Sequence, residues 1–285
     1  MKVFLKSILD SMLLTLPQSV IFDKLAGLIN FYRAHRRLPN NDSFLINDIF
    51  FKIKTSNEIV SPIRVFTSDK ELVKTFITAT VGEKYNVPTI AVLYSDEQID
   101  NFNFPDSCCI KPTHASGRFM IRDRGNSINK EEIKSWLNIN YHKESRERNY
   151  KDLIPKIIVE PLIFNSTNIQ DYKFFCNNGL PKFIQVDSNR ASKHTRCLYT
   201  PEWIKLDFSL SYPMTELEVP KPQCLEKMLD ISKKISKFFS CVRVDFYTDG
   251  SKCYVGEITH CPESSNGRFI PPDSEYQASQ VFLSG

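Results

Sequence analysis

Arg243, Asp245, Glu257 and Thr259 have the residue types and spacing best suited to chemistry. They lie in Val242-Arg-Val-Asp-Phe-Tyr-Thr-Asp-Gly-Ser-Lys-Cys-Tyr-Val-Gly-Glu-Ile-Thr259. Two alternating runs meet there at Asp249-Gly250, a dipeptide that favours a tight turn. With an odd number of loop residues, odd positions on both strands share a face. Val242, Val244, Phe246, Tyr254 and Ile258 then form a packing face, and Arg243, Asp245, Glu257 and Thr259 the opposite one. Two carboxylates on adjacent strands repel each other unless a cation lies between them. Mg²⁺ escorting a nucleotide phosphate meets that need: it takes oxygen ligands, few of them from protein, and fills its shell with phosphate and water. The bland alternative is an exposed sheet face with an Arg–carboxylate pair of little energetic consequence.

Other residues fit a phosphate site. Lys111 ends an apolar strand and leads into Pro112-Thr-His-Ala-Ser-Gly117, where the His114, Ser116 and Gly117 backbone can offer N–H groups to an anion. Lys173 lies between Tyr172 and Phe174, with Asp171 on the same strand face. A strand-borne Lys aimed into a cleft is a point charge suited to phosphate oxygens. Glu160 precedes Pro161 at the end of an apolar run, where backbone can meet adenine and the carboxylate a ribose hydroxyl. Arg190, His194 and Arg196 fall within seven positions and, with Arg268, are candidates for binding an acceptor carboxylate. Each residue alone has an ordinary alternative, a strand-edge Lys or a surface Arg.

The elements that must position these groups read as α+β. Residues 1–37 look helical, and 44–60 form a mixed apolar segment. Ser68 and Glu71 have the spacing of a capping box for a helix to about Thr80. Strands are expected at 89–93, 107–111, 118–121 and 154–163, with a helix over 130–140. The charged stretch 142–151 reads as a solvated connection. Residues 169–176 and 181–186 pair around Asn177-Asn-Gly179, 187–220 are looser, a helix spans 224–239, and 261–272 are loop-like. Antiparallel hairpins set this layout apart from the βαβ alternation of a doubly wound sheet.

Composition sets limits. The chain has 285 residues, a net charge of +4 and 41% hydrophobic residues, enough for two or three lobes. The charge is too mild to imply nucleic acid, and no zinc-finger, repeat or RNP-type signature is present. Eight Cys without a CxxC pair suit reduced thiols in a cytosol. The apolar N-terminus is interrupted by Lys6 and Asp10 and ended by Pro17, too short and too charged to span a membrane. It reads as an amphipathic helix docked on the protein, or lying on a membrane surface with help from Arg33, Arg36 and Arg37.

The order of these motifs resembles the ATP-grasp superfamily, in which two α+β lobes clamp ATP. Arg243-Val-Asp-Phe…Glu257-Ile-Thr-x-x-Pro262 is similar to the metal-binding hairpin of D-alanine–D-alanine ligases. The fuller pattern resembles the TupA-like ATP-grasp family, named for teichuronopeptide biosynthesis. It comprises Ser68-Asp-Lys70, Gly82-Glu-Lys-Tyr-Asn-Val-Pro88, Ile110-Lys-Pro-Thr-His-Ala-Ser-Gly117, Asp171-Tyr-Lys173, Val242-Arg-Val-Asp245 and Gly256-Glu-Ile-Thr259. The resemblance covers residues 40–272.

It implies a helical and small pre-ATP-grasp region over 1–105, a first lobe over 106–165 and a second lobe with the metal site over 166–285. Lys111 and Lys173, beside Asp171 and the 114–117 loop, would hold the phosphates of ATP, and Glu160 the ribose. Asp245 and Glu257 would bind Mg²⁺, and Arg243 would face the transferred phosphoryl group. Thr259 stands where many ATP-grasp enzymes have an Asn metal ligand. His260-Cys-Pro-Glu-Ser-Ser-Asn-Gly267 departs from the family's Thr-Pro-x-Ser-Gly tail. The implied reaction joins a carboxylate to an amine through an acyl phosphate. The carboxylate would be a uronic acid on a bacterial surface-polysaccharide precursor, modified in the cytoplasm. A kinase of a sugar or small molecule uses the same ATP site. A glycosyltransferase would need a sugar-nucleotide site, and no DxD motif is present. A non-enzymatic scaffold would not need both lysines and both carboxylates.

Overall fold

A computed structural model describes residues 2–166, 170–188, 193–216 and 218–284. Arg190, one of the expected acceptor residues, lies outside them. The chain opens with α1 (Lys2–Thr15), α2 (Val20–His35), α3 (Ile46–Thr55), α4 (Pro62–Ser68) and α5 (Leu72–Val81). Ser68 does not cap α5. It is the buried last residue of α4, and its hydroxyl donates to the Arg64 carbonyl at 2.7 Å. Asp69 takes that place: its carboxylate accepts from the N–H groups of Glu71 at 2.8 Å and Leu72 at 3.0 Å. An ionised acceptor ahead of a helix satisfies its first donors better than a hydroxyl does.

Next come β1 (Ala91–Leu93), α6 (Asp96–Asn101), β2 (Cys108–Pro112), β3 (Met120–Arg122), α7 (Lys130–Leu137), α8 (Tyr141–Ser145) and β4 (Ile157–Pro161). The four strands form an antiparallel sheet in the order β1-β4-β2-β3. Ile99 of α6 and Ile133 and Trp136 of α7 cover it, packing on Ile110, Ile157 and Val159. Strand β1 precedes the expected start of the first lobe at 106 yet pairs with β4.

The expected solvated connection over 142–151 is half buried: His142 and residues 146–149 are buried, and Lys143, Glu144 and Lys151 are exposed. His142 Nε2 lies 2.9 Å from Asp23 Oδ2, and Arg146 reaches Asp23 Oδ1 at 3.2 Å and the Pro17 carbonyl at 3.0 Å. Asn149 donates to Ser68 Oγ at 2.7 Å, and Arg148 to the Ser56 carbonyl. The run of charges conceals partners that distant segments supply, which allows burial without uncompensated charge.

The rest of the chain builds β5 (Gln170–Asn177), β6 (Leu180–Ser188), β7 (Thr195–Tyr199), β8 (Ser209–Leu210), α9 (Leu225–Ser236), β9 (Cys241–Thr248), β10 (Cys253–Thr259), β11 (Phe269–Ile270) and α10 (Glu275–Leu283). Five strands form an antiparallel sheet in the order β10-β9-β5-β6-β7, and β8 pairs with β11. Asn178 and Gly179, at φ 48° and 80°, turn β5 into β6, as a tight hairpin turn requires.

The two faces of this sheet differ. Phe174, Ile184, Cys197, Val244 and Phe246 pack against α5 and against the apolar stripe of α9, including Met228, Ile231 and Ile235. The opposite face is divided. Phe175, Phe183, Leu198 and Cys241 pack under α3 and α10, and the remaining positions carry polar side chains, of which Tyr247 lies under Lys111 of the four-stranded sheet.

The β9–β10 hairpin corrects one expectation. Its connection, residues 249–252, has an even number of residues, because Cys253 pairs with Thr248. A bulge between Val255 and Glu257 supplies the odd residue. Tyr254 therefore pairs with Tyr247 and lies off the packing face, and Val255 fills the core in its place. Beyond the bulge, Glu257 pairs with Asp245, Ile258 with Val244 and Thr259 with Arg243, the expected face.

Candidate functional site

The register aligns the polar residues in rows across the sheet. Glu257, Asp245, Lys173 and Gln185 occupy consecutive partner positions on β10, β9, β5 and β6. Tyr247, Asp171, Asp187 and Arg196 form the next row along. Alternation, with the β10 bulge placing Glu257, brings these side chains to one face.

Arg243 and Asp245 form a paired fork, Nε to Oδ1 at 2.7 Å and Nη2 to Oδ2 at 2.6 Å. Lys173 Nζ bridges Asp245 Oδ2 at 3.1 Å and Asp171 Oδ2 at 3.2 Å. Arg243 Nη2 also reaches Thr259 Oγ1 at 3.1 Å and lies 3.6 Å from Glu257 Oε1. The Thr259 hydroxyl donates to Glu257 Oε1 at 3.2 Å. Burial would depress the Lys173 ammonium, but Asp245 and Asp171 outweigh it and raise its pKa. Burial raises Asp245 against the pull of Arg243 and Lys173. Glu257 behaves differently: burial would raise it, yet Lys70, Arg243 and Lys173 hold it down to about 2. It is therefore ionised and available to a cation.

Further cations come from β2 and from the start of α5. Lys111 Nζ lies 2.6 Å from Glu160 Oε2 and 5.6 Å from the centre of the Tyr247 ring on β9. Lys74 Nζ meets the other Glu160 oxygen at 2.6 Å. Burial opposes the charge on Lys111, but Tyr247 and Glu160 hold its pKa well above the usual lysine value. Burial likewise works against ionised Glu160, and Lys111 and Lys74 lower it all the same. A ribose hydroxyl at Glu160 would share the carboxylate with these two lysines. Lys70 lies in the α4–α5 connection. Its Nζ donates to the Ala115 carbonyl at 2.6 Å and its N–H to the Thr113 carbonyl at 3.1 Å. Burial lowers its pKa although Glu257 opposes the shift.

In the 112–117 loop, His114 is buried beside the Trp136 and Ile139 main chain, with its pKa lowered by burial and by Lys70. Ser116 lies against the Tyr141 hydroxyl. Gly117, at φ 75°, is exposed with open space where a Cβ would stand, so backbone there can approach a ligand closely. Lys70, which the sequence shows only within the Ser68-Asp-Lys70 pattern with no site role, and Lys74, which it does not single out, both join the site. Their signal was an i, i+4 pair of lysines at the start of a helix behind Asp69. That pattern is common on surfaces, and only the fold directs it inward.

Among the described residues, no group of three or more His, Cys, Asp or Glu is arranged to hold a metal. Asp245 and Glu257, with the Thr259 hydroxyl, offer oxygen donors from two adjacent strands. That set suits Mg²⁺ only if phosphate and water complete its shell. The remaining expected residues divide. His194 Nε2 lies 3.3 Å from Asp187 Oδ1, and Arg196 Nε 2.6 Å from the same oxygen. Arg268 is exposed and donates to the Arg33 carbonyl on α2 at 2.9 Å, apart from that pair.

Several solved structures resemble this chain. The D-alanine–D-alanine ligase of Helicobacter pylori matches at 18% identity and a TM-score of 0.38, over 71% of this chain and 56% of that one. The D-alanine–D-alanine ligase of Bacillus anthracis matches at 18% and 0.41, over 75% and 63%. The L-amino acid ligase of Bacillus licheniformis matches at 12% and 0.45, over 76% and 49%. The chain thus spans about half to three-fifths of the length of these proteins. No curated protein sequence matches it. The TupA-like ATPgrasp profile matches residues 52–278, which include both sheets and every lysine and carboxylate of the cleft, and the chain belongs to the TupA-like ATP-grasp family.

Proposed function

We propose that this protein is an ATP-dependent carboxylate–amine ligase working through an acyl phosphate. One observation carries the reading: Lys173 and Arg243 hold Asp245, Lys70 joins them around Glu257, and Lys111 lies over Tyr247 on the same sheet face. In this reading Lys111 and Lys70, with the loop ending at Gly117, hold the nucleotide phosphates, and Lys173 and Arg243 absorb charge as the γ-phosphoryl moves to the substrate carboxylate. Asp245, Glu257 and Thr259 would hold Mg²⁺, which supplies charge neutralisation between phosphate oxygens. Closure of the four-stranded lobe would shield the acyl phosphate from water.

The structures of relatives named as complexes with ATP, or with Mg and ADP, support the choice of cofactors. The family resemblance supports a uronic acid on a surface-polysaccharide precursor as the carboxylate, with cytoplasmic chemistry. No helix among the described residues is long and apolar enough to cross a membrane. Exposed Met12, Val20, Ile21 and Leu25 beside Lys24 support peripheral membrane contact through the N-terminal helices.

Mg²⁺-dependent ATP turnover against a panel of uronic acids and amines tests the reading, with ADP, phosphate and product mass followed together. A product equal to the sum of both partners less one water, with ADP and phosphate, is expected. A product heavier by a phosphoryl group, formed without an amine, would make the protein a kinase. Absence of ATP binding would overturn the proposal.

A further inference from the structure

Asp69, between Ser68 and Lys70, is a buried hub. Its side chain is 1% exposed, and donors from three separate segments surround it. Oδ1 accepts from the N–H groups of Glu71 at 2.8 Å and Leu72 at 3.0 Å, at the start of α5. Oδ2 accepts from the Thr113 hydroxyl at 2.9 Å. Lys156, directly before β4, reaches both oxygens, at 3.3 and 3.2 Å. Lys156 is shared with Glu71, and the Lys70 ammonium and the His114 ring lie in the field of Asp69 as well. Two lysines thus accompany two carboxylates, and the buried charge is balanced.

The same residues tie down one half of the 112–117 loop. The Lys70 N–H donates to the Thr113 carbonyl at 3.1 Å, and the Thr113 N–H to the Lys156 carbonyl at 2.9 Å. Lys70 Nζ donates to the Ala115 carbonyl at 2.6 Å. Thr113, His114 and Ala115 are buried, whereas Ser116 is half-buried and Gly117 exposed. Asp69 therefore meets the loop twice, through the Thr113 hydroxyl on its own carboxylate and through Lys70, its neighbour in the chain. None of the N–H groups of residues 114–117 reaches a main-chain acceptor among the described residues. Protein donors take up the Thr113 and Ala115 carbonyls, and the N–H groups stay available, the polarity that suits an anion.

We propose that Asp69 is the positioning residue of the phosphate site: it holds Lys70 and the 112–117 loop in the geometry that receives the phosphates of ATP, and touches no phosphate itself. This rests on the ligase reading above, which places those phosphates on Lys70, Lys111 and the loop. A lysine and a loop that sample several geometries lose that freedom on binding, and contacts formed beforehand remove the cost. The role needs a carboxylate rather than an amide. An Asn can still cap α5 through its carbonyl oxygen, but its NH2 group would oppose Lys156 Nζ, donor against donor.

Titration calorimetry of the full chain with ATP and with inorganic tripolyphosphate tests this role. Asp69→Asn is expected to raise both Kd values about tenfold. Thr113→Val removes only the loop end of the contact and leaves the helix cap, so it keeps the test open if Asp69→Asn does not fold. It should raise both values about threefold, the size of one hydrogen bond. Because Asp69 acts largely through Lys70, Asp69→Asn placed on Lys70→Ala should cost less than about threefold, whereas a purely structural loss would add in full. Unchanged Kd values in both single variants, or penalties that add in full on Lys70→Ala, would overturn the assignment and leave the ligase reading intact. A wild-type chain that binds neither ATP nor tripolyphosphate would overturn both together.

Discussion

A Cβ on Gly256 would stand 2.6 Å from Tyr247 Cε2 and 2.9 Å from Cζ. The Tyr247 ring thus occupies the space a side chain at 256 would fill, at the bulge where β10 gains one residue on β9. Through this contact the hairpin brings Glu257 opposite Asp245 rather than into the core. The bulge and the paired carboxylates are therefore one feature.

Gly256→Ala is expected to displace the Tyr247 ring and cost about 1–3 kcal/mol, the range for overpacking. Because the bulge sets the position of Glu257, affinity for Mg²⁺–ATP should fall further than affinity for metal-free ATP. Urea denaturation and calorimetry with and without Mg²⁺ would separate the two effects.

Lys111→Ala and Lys70→Ala are each expected to weaken ATP binding by about ten- to a hundredfold, as loss of a phosphate contact in a low-dielectric cleft implies. Lys70 is the more informative variant. It lies more than 40 residues ahead of the loop it supports, and its donation to the Ala115 carbonyl is the observation that brings it to the phosphates. ATP affinity by calorimetry, with unchanged thermal stability as the control, checks both.

His260 carries a pH signature. Arg64 can only donate, so His260 Nδ1, 3.1 Å away, accepts, and Nε2 carries the proton toward Thr67 Oγ1 at 2.9 Å. The Thr67 hydroxyl in turn donates to the Ile63 carbonyl at 2.7 Å. Burial and the Arg64 charge lower the imidazole pKa well below 6.5. The folded chain thus leaves His260 neutral where the unfolded chain protonates it. Stability should fall as pH drops below 6.5, by up to about 1.4 kcal/mol per pH unit from this residue. Urea midpoints from pH 7.5 to 5.5 should show a shallower slope for His260→Gln.

Asp23→Ala is expected to destabilise the fold by about 3–5 kcal/mol, since it leaves Arg146 and His142 buried without their shared carboxylate. Thermal unfolding would show the loss. A change below 1 kcal/mol would mean that the 141–150 segment is held by its carbonyl contacts alone.

Much of the site was legible in residue order. Alternation in 242–248 and 257–259 placed Arg243, Asp245, Glu257 and Thr259 on one face, and Lys173 joined them through the same period of two. That period is local geometry, and a sequence carries it directly. The bulge reached the same face by a different count: an even loop plus one inserted residue, where an odd loop was expected. A strand run does not reveal which of its residues is doubled, because the space beside Gly256 is defined by Tyr247 on the neighbouring strand.

The sequence by itself determined the α+β class, both hairpins, most strand positions and the shared face of Arg243, Asp245, Glu257 and Thr259, because hydrophobic period and turn residues act over a few positions. Tertiary structure alone decided which charges meet. It buried His142 and residues 146–149 against Asp23 and Ser68, brought Lys70 to the Ala115 carbonyl and Lys74 to Glu160, and paired Arg196 with Asp187 and Glu263. A charged residue looks the same in sequence whether solvated or paired. The difference lies in an oppositely charged group brought beside it from far along the chain, and the cost of burying charge unpaired then makes that pairing obligatory.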